Sequence, residues 1–390
     1  MVSSVSRRDF LARAGVIGCS LAASPLFTPV SFAQTPWDTR LVVIILRGGL
    51  DGLDVVQPYG DPAFAALRGS LSGGPQAGAL DLDGYFALHP ALASLMPLWQ
   101  AGQLSFVHAV STPYRDKRSH FDGQDLLEAG TESLAGVRDG WLNRMLQVIP
   151  GVTAQTAYSV GRSDMRLMRG DAEVANWAPD ADLGLSPQAI RLMDLVTESD
   201  PAIHAALAEA QLLSDAAAEM GGPRGGNHIE IARFAADRLS QDARIAAFSL
   251  NGWDTHFGQD QSILPGLRRL AETLTTLRGK MRGDTWRKTA VIAMTEFGRT
   301  ARQNGTGGTD HGTGGLMVLA GGAIRGGQVF GQWPGLGEGD LYQGRDLMPT
   351  ADVRAQAAWI MRGLTGIDTT TFEQSIFPGL DMGADPGLLL

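Results

Sequence analysis

The chain repeatedly builds a short apolar run and ends it abruptly in polar residues. Leu41-Val42-Val43-Ile44-Ile45-Leu46 stops at Arg47-Gly48-Gly49-Leu50-Asp51-Gly52, and Leu104 to Val110 empties into Ser111-Thr112-Pro113-Tyr114-Arg115. Ile245 to Leu250 ends in Asn251-Gly252-Trp253-Asp254-Thr255-His256, and Val291 to Met294 runs into Thr295-Glu296-Phe297-Gly298-Arg299-Thr300. A fifth run, Leu316 to Ala320, follows the glycine-rich loop that carries Asp310 and His311. Apolar runs of this length bounded by glycine read as strands buried on both faces, the parallel-sheet pattern. Residues 90–100, 190–196, 202–220, 229–239, 267–281 and 353–364 instead carry apolar residues at three-to-four spacing and are expected to be helices. The alternation predicts an α/β fold, a mostly parallel, doubly wound sheet with helices on both faces. The section 151–226 is less strand-like and reads as a helical insertion closed by a glycine-rich linker at 221–226. Open sheets place their sites outside the carboxyl ends of the strands, so the polar clusters are expected to meet in one cleft.

The N-terminus addresses the chain. Ser6-Arg7-Arg8-Asp9-Phe10-Leu11 is a twin-arginine signature, a mildly apolar stretch follows, and Ser31-Phe32-Ala33 offers a small-residue cleavage site. The expectation is a signal peptide over 1–33, one domain over 34–390, and a periplasmic or secreted protein. The alternative is a lipoprotein box, Val16-Ile17-Gly18-Cys19, with lipidation at Cys19. Removing 1–33 takes the formal charge from −9 to −11, which argues against nucleic acid or an anionic membrane as the main partner. Cys19 is the only cysteine, so the exported protein has no disulfide to hold it. No later run approaches the roughly 18 apolar residues of a membrane span.

The polar clusters hold metal-ligating residue types. Asp254 and His256 stand two apart, a spacing that points both side chains the same way in an extended segment, and carboxylate with neutral imidazole suits a divalent metal. The competing reading is a helix start capped by Asp254 or Thr255, with His256 exposed. His311 follows Asp310 in a loop that needs neither residue for folding, so His311 is a candidate ligand and Asp310 a candidate orienting group. Glu296 closes a buried strand, and either ligates metal, bonds loop amides or pairs with Arg299. Asp51 is a weaker candidate, because acids in a glycine turn are ordinary turn chemistry. Ser119 sits where a helix over 120–129 would begin, a position that favours an anion and could present a nucleophile, or simply an N-cap. Arg115, Lys117 and Arg118 supply cations there for an anionic group. His89, His108, His204 and His228 show no partner pattern and read as structural.

Taken together, the leader, Leu46-Arg47-Gly48-Gly49-Leu50-Asp51-Gly52, Arg118-Ser119-His120-Phe121-Asp122, Asn251-Gly252-Trp253-Asp254-Thr255-His256, Thr295-Glu296-Phe297-Gly298-Arg299-Thr300 and Asp310-His311-Gly312 resemble family 1501 of domains of unknown function. That family is grouped with the alkaline phosphatase and sulfatase superfamily. The resemblance implies a metal-dependent phosphate- or sulfate-ester hydrolase fold, with Ser119 as nucleophile and Asp254, His256, Glu296 and His311 as ligands, joined by Asp51 as the strand-end acid. The chain departs from the superfamily pattern where Arg47-Gly48-Gly49 ends the first run, where Glu296-Phe297 replaces an Asp-His pair, and in the close spacing of 254 and 256. One, two or no divalent ions are therefore admitted. Ser111-Thr112-Pro113-Tyr114-Arg115 resembles a sulfatase signature and makes Ser111 the second-choice nucleophile. Two functions follow: an exported hydrolase of small anionic esters, or a non-catalytic periplasmic binding or assembly protein on the same scaffold.

Overall fold

The computed structural model describes residues 37–71, 73–115, 117–161, 165–178, scattered positions from 193 to 208, and 228–390. The expected signal peptide, with Cys19, lies outside the described residues. So do the linker at 221–226 and most of the helices expected at 190–196 and 202–220. The body of the chain, Thr35–Leu390, is one compact unit.

Among the described residues twelve strands appear in chain order: β1 Arg40–Arg47, β2 Val56–Gln57, β3 Leu80–Asp81, β4 Ala87–Leu88, β5 Leu104–Ser111 and β6 Ala157–Val160 come first, followed by β7 Ala175–Trp177, β8 Ile245–Asn251, β9 Thr289–Met294, β10 Gly315–Ala320, β11 Val329–Phe330 and β12 Ala351–Asp352. Nine of them form one sheet in the order β11-β5-β10-β9-β1-β8-β6-β7, with β12 also against β5. All five apolar runs are strands of this sheet. β1 lies at its centre, parallel to both β8 and β9, and its side chains divide between two cores: Val42, Ile44 and Leu46 on one face, Leu41, Val43 and Ile45 on the other. Burying each such side chain is worth roughly 1.5–3 kcal/mol, which is why the run tolerates no polar residue. The helices His228–Leu239 and Leu264–Lys280 cover one face; Trp141–Val148 and Val353–Thr365 cover the other. The sheet is thus mixed, mostly parallel and covered by helices on both sides.

Two expectations need correction. β10 is antiparallel to both β5 and β9, so His311 precedes the start of its strand instead of following the end of one. Because β10 runs backwards, its start lies beside the carboxyl ends of its neighbours, and His311 reaches the same rim by the opposite route. The section 151–226 is not wholly helical: β6 and β7 extend the parallel sheet beyond β8. Their mixed sequences, Ala157-Tyr158-Ser159-Val160 and Ala175-Asn176-Trp177, hide them because strands this short that carry polar residues lack the apolar run by which the others are read. A second sheet, β2-β4-β3, packs nearby, tied to β5 by the His108 Nε2 bond to the Val56 carbonyl at 2.8 Å. Among the described residues no helix is long and apolar enough to cross a membrane.

Candidate metal centre

The carboxyl ends of β1, β8 and β9 are packed so closely that glycine is required between them. Gly48, just past β1, has φ +123°, and a Cβ there would lie 2.7 Å from the Asp254 amide nitrogen. Gly308 allows the loop before β10 to press on the segment after β8, since its Cβ would sit 2.3 Å from the His256 carbonyl carbon. These contacts bring Asp254, His256 and His311 together, and the first residue of the helix His120–Ala129 completes the group. Ligand atoms of His120, Asp254 and His311 all lie within 4.8 Å of one another.

Each imidazole in this group has its Nδ1 fixed by an acceptor. His120 Nδ1 is 2.8 Å from Glu296 Oε1, His256 Nδ1 is 3.1 Å from Asp310 Oδ1, and His311 Nδ1 is 2.8 Å from the Arg118 carbonyl. A carbonyl or an ionised carboxylate can only accept, so each ring carries its proton on Nδ1 and, when neutral, turns a lone pair out at Nε2. Those three Nε2 atoms converge on one carboxylate. His256 and His311 Nε2 are 3.0 Å apart and lie 3.0 and 3.3 Å from Asp254 Oδ1, while His120 Nε2 lies 3.3 Å from Asp254 Oδ2 and is buried without a hydrogen-bond donor. Lone pairs held this close repel unless a cation lies among them. Outer-shell acceptors that fix Nδ1 and present Nε2 are the usual support of a metal-binding histidine.

The charges agree with that reading. Burial pushes the Glu296 carboxyl up, but its bonds from His120, Gln124 and the Gly48 amide outweigh this and hold it below its ordinary value. Burial likewise raises Asp254 less than Arg299, His120 and His256 lower it, and Asp310 less than Asn304 and His256 lower it. The Arg299 guanidinium faces Asp254 and Arg345 acts on Asp310, so cations as well as imidazoles stand against these carboxylates. His120 is raised above its ordinary value, mainly by the Glu296 bond, whereas burial lowers His311. Phe297, standing where an imidazole was expected, serves as a floor: its ring centroid lies 5.1 Å from that of His120 and 4.9 Å from that of His311.

Several expected site residues do other work. Glu296 is fully buried and bonded to Gly48, Gln124, Thr295 and His120, so it orients the His120 ring from beneath. Asp310 orients His256, not its neighbour His311. Arg299 is a clamp, donating to Asp254 Oδ1 at 2.6 Å and to carbonyls of Gly48, Gly49, Trp253 and Thr309. Asp51 is not a ligand: it is buried, paired through both oxygens with Arg68, and further bonded by Gln259 and the Leu53 amide. Arg115 is bound to its own loop, at the Thr112 and Tyr114 carbonyls and the Ser111 hydroxyl, and Ser111 itself is buried. Arg118 contributes its carbonyl, placed by an unusual φ of +53°, and its side chain is exposed. Ser119 N-caps the helix through a long 3.4 Å bond from the Asp122 amide, and its own amide donates to the Tyr114 hydroxyl. His120, which completes the group, carries no metal-like spacing in the sequence; its only local signal is its place directly after Ser119 at the predicted helix start.

Beside the centre, Asp54 shares Gln259 with Asp51. Burial, then the Asp51 charge, pushes the Asp54 carboxyl up to about 7 despite bonds from Gln259 and Gln57. A raised acid binds its proton more tightly folded than unfolded, so its contribution is complete below the ordinary value of 3.8 and disappears as pH rises through 7. Between pH 5 and 8 the wild type should therefore lose about 2–3 kcal/mol more stability than Asp54→Asn, measured by urea unfolding. Parallel pH dependences for the two proteins would show that Asp54 is ionised throughout.

The family described as "Protein of unknown function (DUF1501)" matches residues 114–358, a span that contains every residue of the histidine group. No curated protein sequence matches the chain. Among solved structures it resembles the lipoteichoic acid synthase LtaP from Listeria monocytogenes, at 7% identity over 94% of this chain and 80% of that one, with a TM-score of 0.40. It also resembles a protein in the alkaline phosphatase superfamily from Vibrio parahaemolyticus, at 12% identity, 79% and 68% coverage and a TM-score of 0.35. The PsFucS1 sulfatase from Pseudoalteromonas sp. aligns at 13% identity, 92% and 74% coverage and a TM-score of 0.37. Likenesses at these scores carry no argument about chemistry, which has to come from the residues of this chain.

Proposed function

The chain belongs to the DUF1501 family, and from that premise we propose that it is an exported, metal-dependent hydrolase of phosphate or sulfate esters. The observation that carries this reading is the convergence of three imidazole Nε2 atoms on Asp254, each ring held by an acceptor at Nδ1. His120, Asp254 and His311 would hold the ion, with His256 beside them. An imidazole-rich set suits zinc or a similar transition-metal ion better than magnesium or calcium. When bound, such a cation polarises an ester oxygen and stabilises the charge that develops in displacement. Asp254 remains 45% exposed at its side chain, so the centre opens to solvent as a catalytic site must and a structural one need not. With Asp51 engaged by Arg68, the second acid that a two-ion site would need is missing, and one ion is expected.

The hydroxyl of Ser119, adjacent to His120, is the proposed nucleophile. The first-turn amides of its helix favour the anionic group that it would attack. Its long bond from the Asp122 amide uses an oxygen lone pair and leaves the proton to be removed. Residues 1–33 are proposed to direct twin-arginine export, so the test starts from protein isolated from the exported pool. Material that still carried those residues would overturn the export reading. Turnover in a panel of phosphate monoesters, diesters and sulfate esters is expected, falling by about 10³-fold or more in Ser119→Ala while metal content stays constant. Metal-replete protein with no turnover of any ester would leave the alternative, a periplasmic binding or assembly protein on the same fold.

A further inference from the structure

Gln259 is completely buried, and its side chain ties together the three strand ends that surround the metal centre. Its amide nitrogen donates to Asp51 Oδ2 at 2.6 Å and to Asp54 Oδ2 at 2.8 Å, both just past β1. Its amide oxygen accepts from Thr255 Oγ1 at 2.8 Å, past β8, and from Thr309 Oγ1 at 2.6 Å, before β10. The amide cannot be turned round. Burial raises the Asp51 carboxyl less than the Arg68 charge and its hydrogen bonds lower it, so Asp51 is ionised, can only accept, and must face the NH2 group. Thr309 Oγ1 lies farther from Asp51 Oδ2, at 3.4 Å, so its proton goes to Gln259. Both donors and both lone pairs of the amide are thereby used.

The two threonines belong to the loops that carry the centre. Thr255 stands between Asp254 and His256, and Thr309 precedes Asp310 and His311. Thr255 is buried and turned to Gln259, whereas Asp254 and His256 are open to solvent and meet each other at 3.0 Å. The Thr309 amide also donates to the Thr255 carbonyl at 3.1 Å, joining the loops backbone to backbone, and Gln259 braces that join from the buried side. A brace on the backbone at 255 and 309 sets how far apart the adjoining Cα atoms stand, and a metal site is sensitive to that spacing.

We infer that Gln259 is a positioning residue of the metal centre, acting through the Thr255 and Thr309 hydroxyls on the loops that carry Asp254, His256 and His311, with Asp51 and Asp54 anchoring its amide. This rests on the metal-centre reading and adds a residue that touches neither ion nor substrate.

Retention of zinc by the metal-replete protein against increasing chelator tests the inference. Zinc affinity should fall about 10-fold in Gln259→Leu and in Thr255→Val/Thr309→Val, and no further when all three changes are combined, because the hydroxyls act through the amide. Cobalt(II) in place of zinc should give a shifted visible absorption spectrum in the same variants, a readout of ligand geometry that a loss of stability alone does not move. Should Gln259→Leu or the threonine pair fail to fold, the single Thr255→Val and Thr309→Val variants decide. Folded variants with wild-type zinc affinity and cobalt spectrum, even at a lowered urea midpoint, would make Gln259 a purely structural bridge and overturn the inference while the metal centre stands. A further loss in the triple variant would show the threonines acting without Gln259 and overturn it too. If the wild type holds no zinc, the metal-centre reading falls and takes the inference with it.

Discussion

His120→Ala is expected to strip a protein that otherwise carries about one equivalent of a transition-metal ion. His120 supplies an Nε2 that is buried, has no hydrogen-bond donor and lies 3.3 Å from Asp254 Oδ2, so its loss removes a ligand and opens the others to water. Glu296→Gln is a milder lesion: a glutamine oxygen can still accept from His120 Nδ1 and the Gly48 amide, but the negative charge is gone. Loss of such an orienting partner typically weakens metal affinity by about 10–100-fold. Removing the ligand itself should exceed that and leave His120→Ala essentially metal-free by elemental analysis. Ser119→Ala, one residue away, should keep its metal. Wild-type protein isolated without any metal, or His120→Ala retaining a full equivalent, would mean that the converging nitrogens are held by protons alone.

The strands that carry this centre could be read from the chain because a strand covered on both faces must be apolar at nearly every position, as Leu41 to Leu46 is. Asp254 and His256 were legible for a local reason, their two-residue spacing. The rest depends on pairings that no local pattern encodes. His120 acquires its meaning from Glu296, 176 residues away, and Asp51 loses its expected role to Arg68, whose partner cannot be inferred from a helix of mixed sequence. The reversed direction of β10 is equally hidden, since Leu316 to Ala320 would look the same in either orientation, and the connection over 295–314 is long enough for a parallel crossover as well as for an antiparallel return. Glu296 shows the limit most clearly. An acid at a strand end can equally ligate a metal or accept from loop amides, and only the fold shows Glu296 completely buried with Gly48, His120, Gln124 and Thr295 as bonded partners.

Arg299→Leu is expected to cost about 3–5 kcal/mol of folding stability, the scale for breaking a buried charged network by removing one partner. Its guanidinium is fully enclosed and donates five bonds of 2.6–3.0 Å, joining Gly48 and Gly49 after β1, Trp253 and Asp254 after β8, and Thr309 before β10. Leucine would fill much of the volume but leave four carbonyls and a carboxylate oxygen without their donor, in a place where water cannot substitute without opening the packed strand ends. A buried cation beside a metal centre looks unfavourable until the other charges are counted. Without Arg299, Asp254 would lose its guanidinium counter-charge and the closest donor to its Oδ1. Arg299→Lys separates the two contributions, because lysine keeps the charge but has three donors on one atom and cannot span three loops. Lysine should recover only part of the stability in guanidinium chloride unfolding, with metal binding weakened in both variants. A loss below about 1 kcal/mol in Arg299→Leu would show that the loops hold their positions without the clamp.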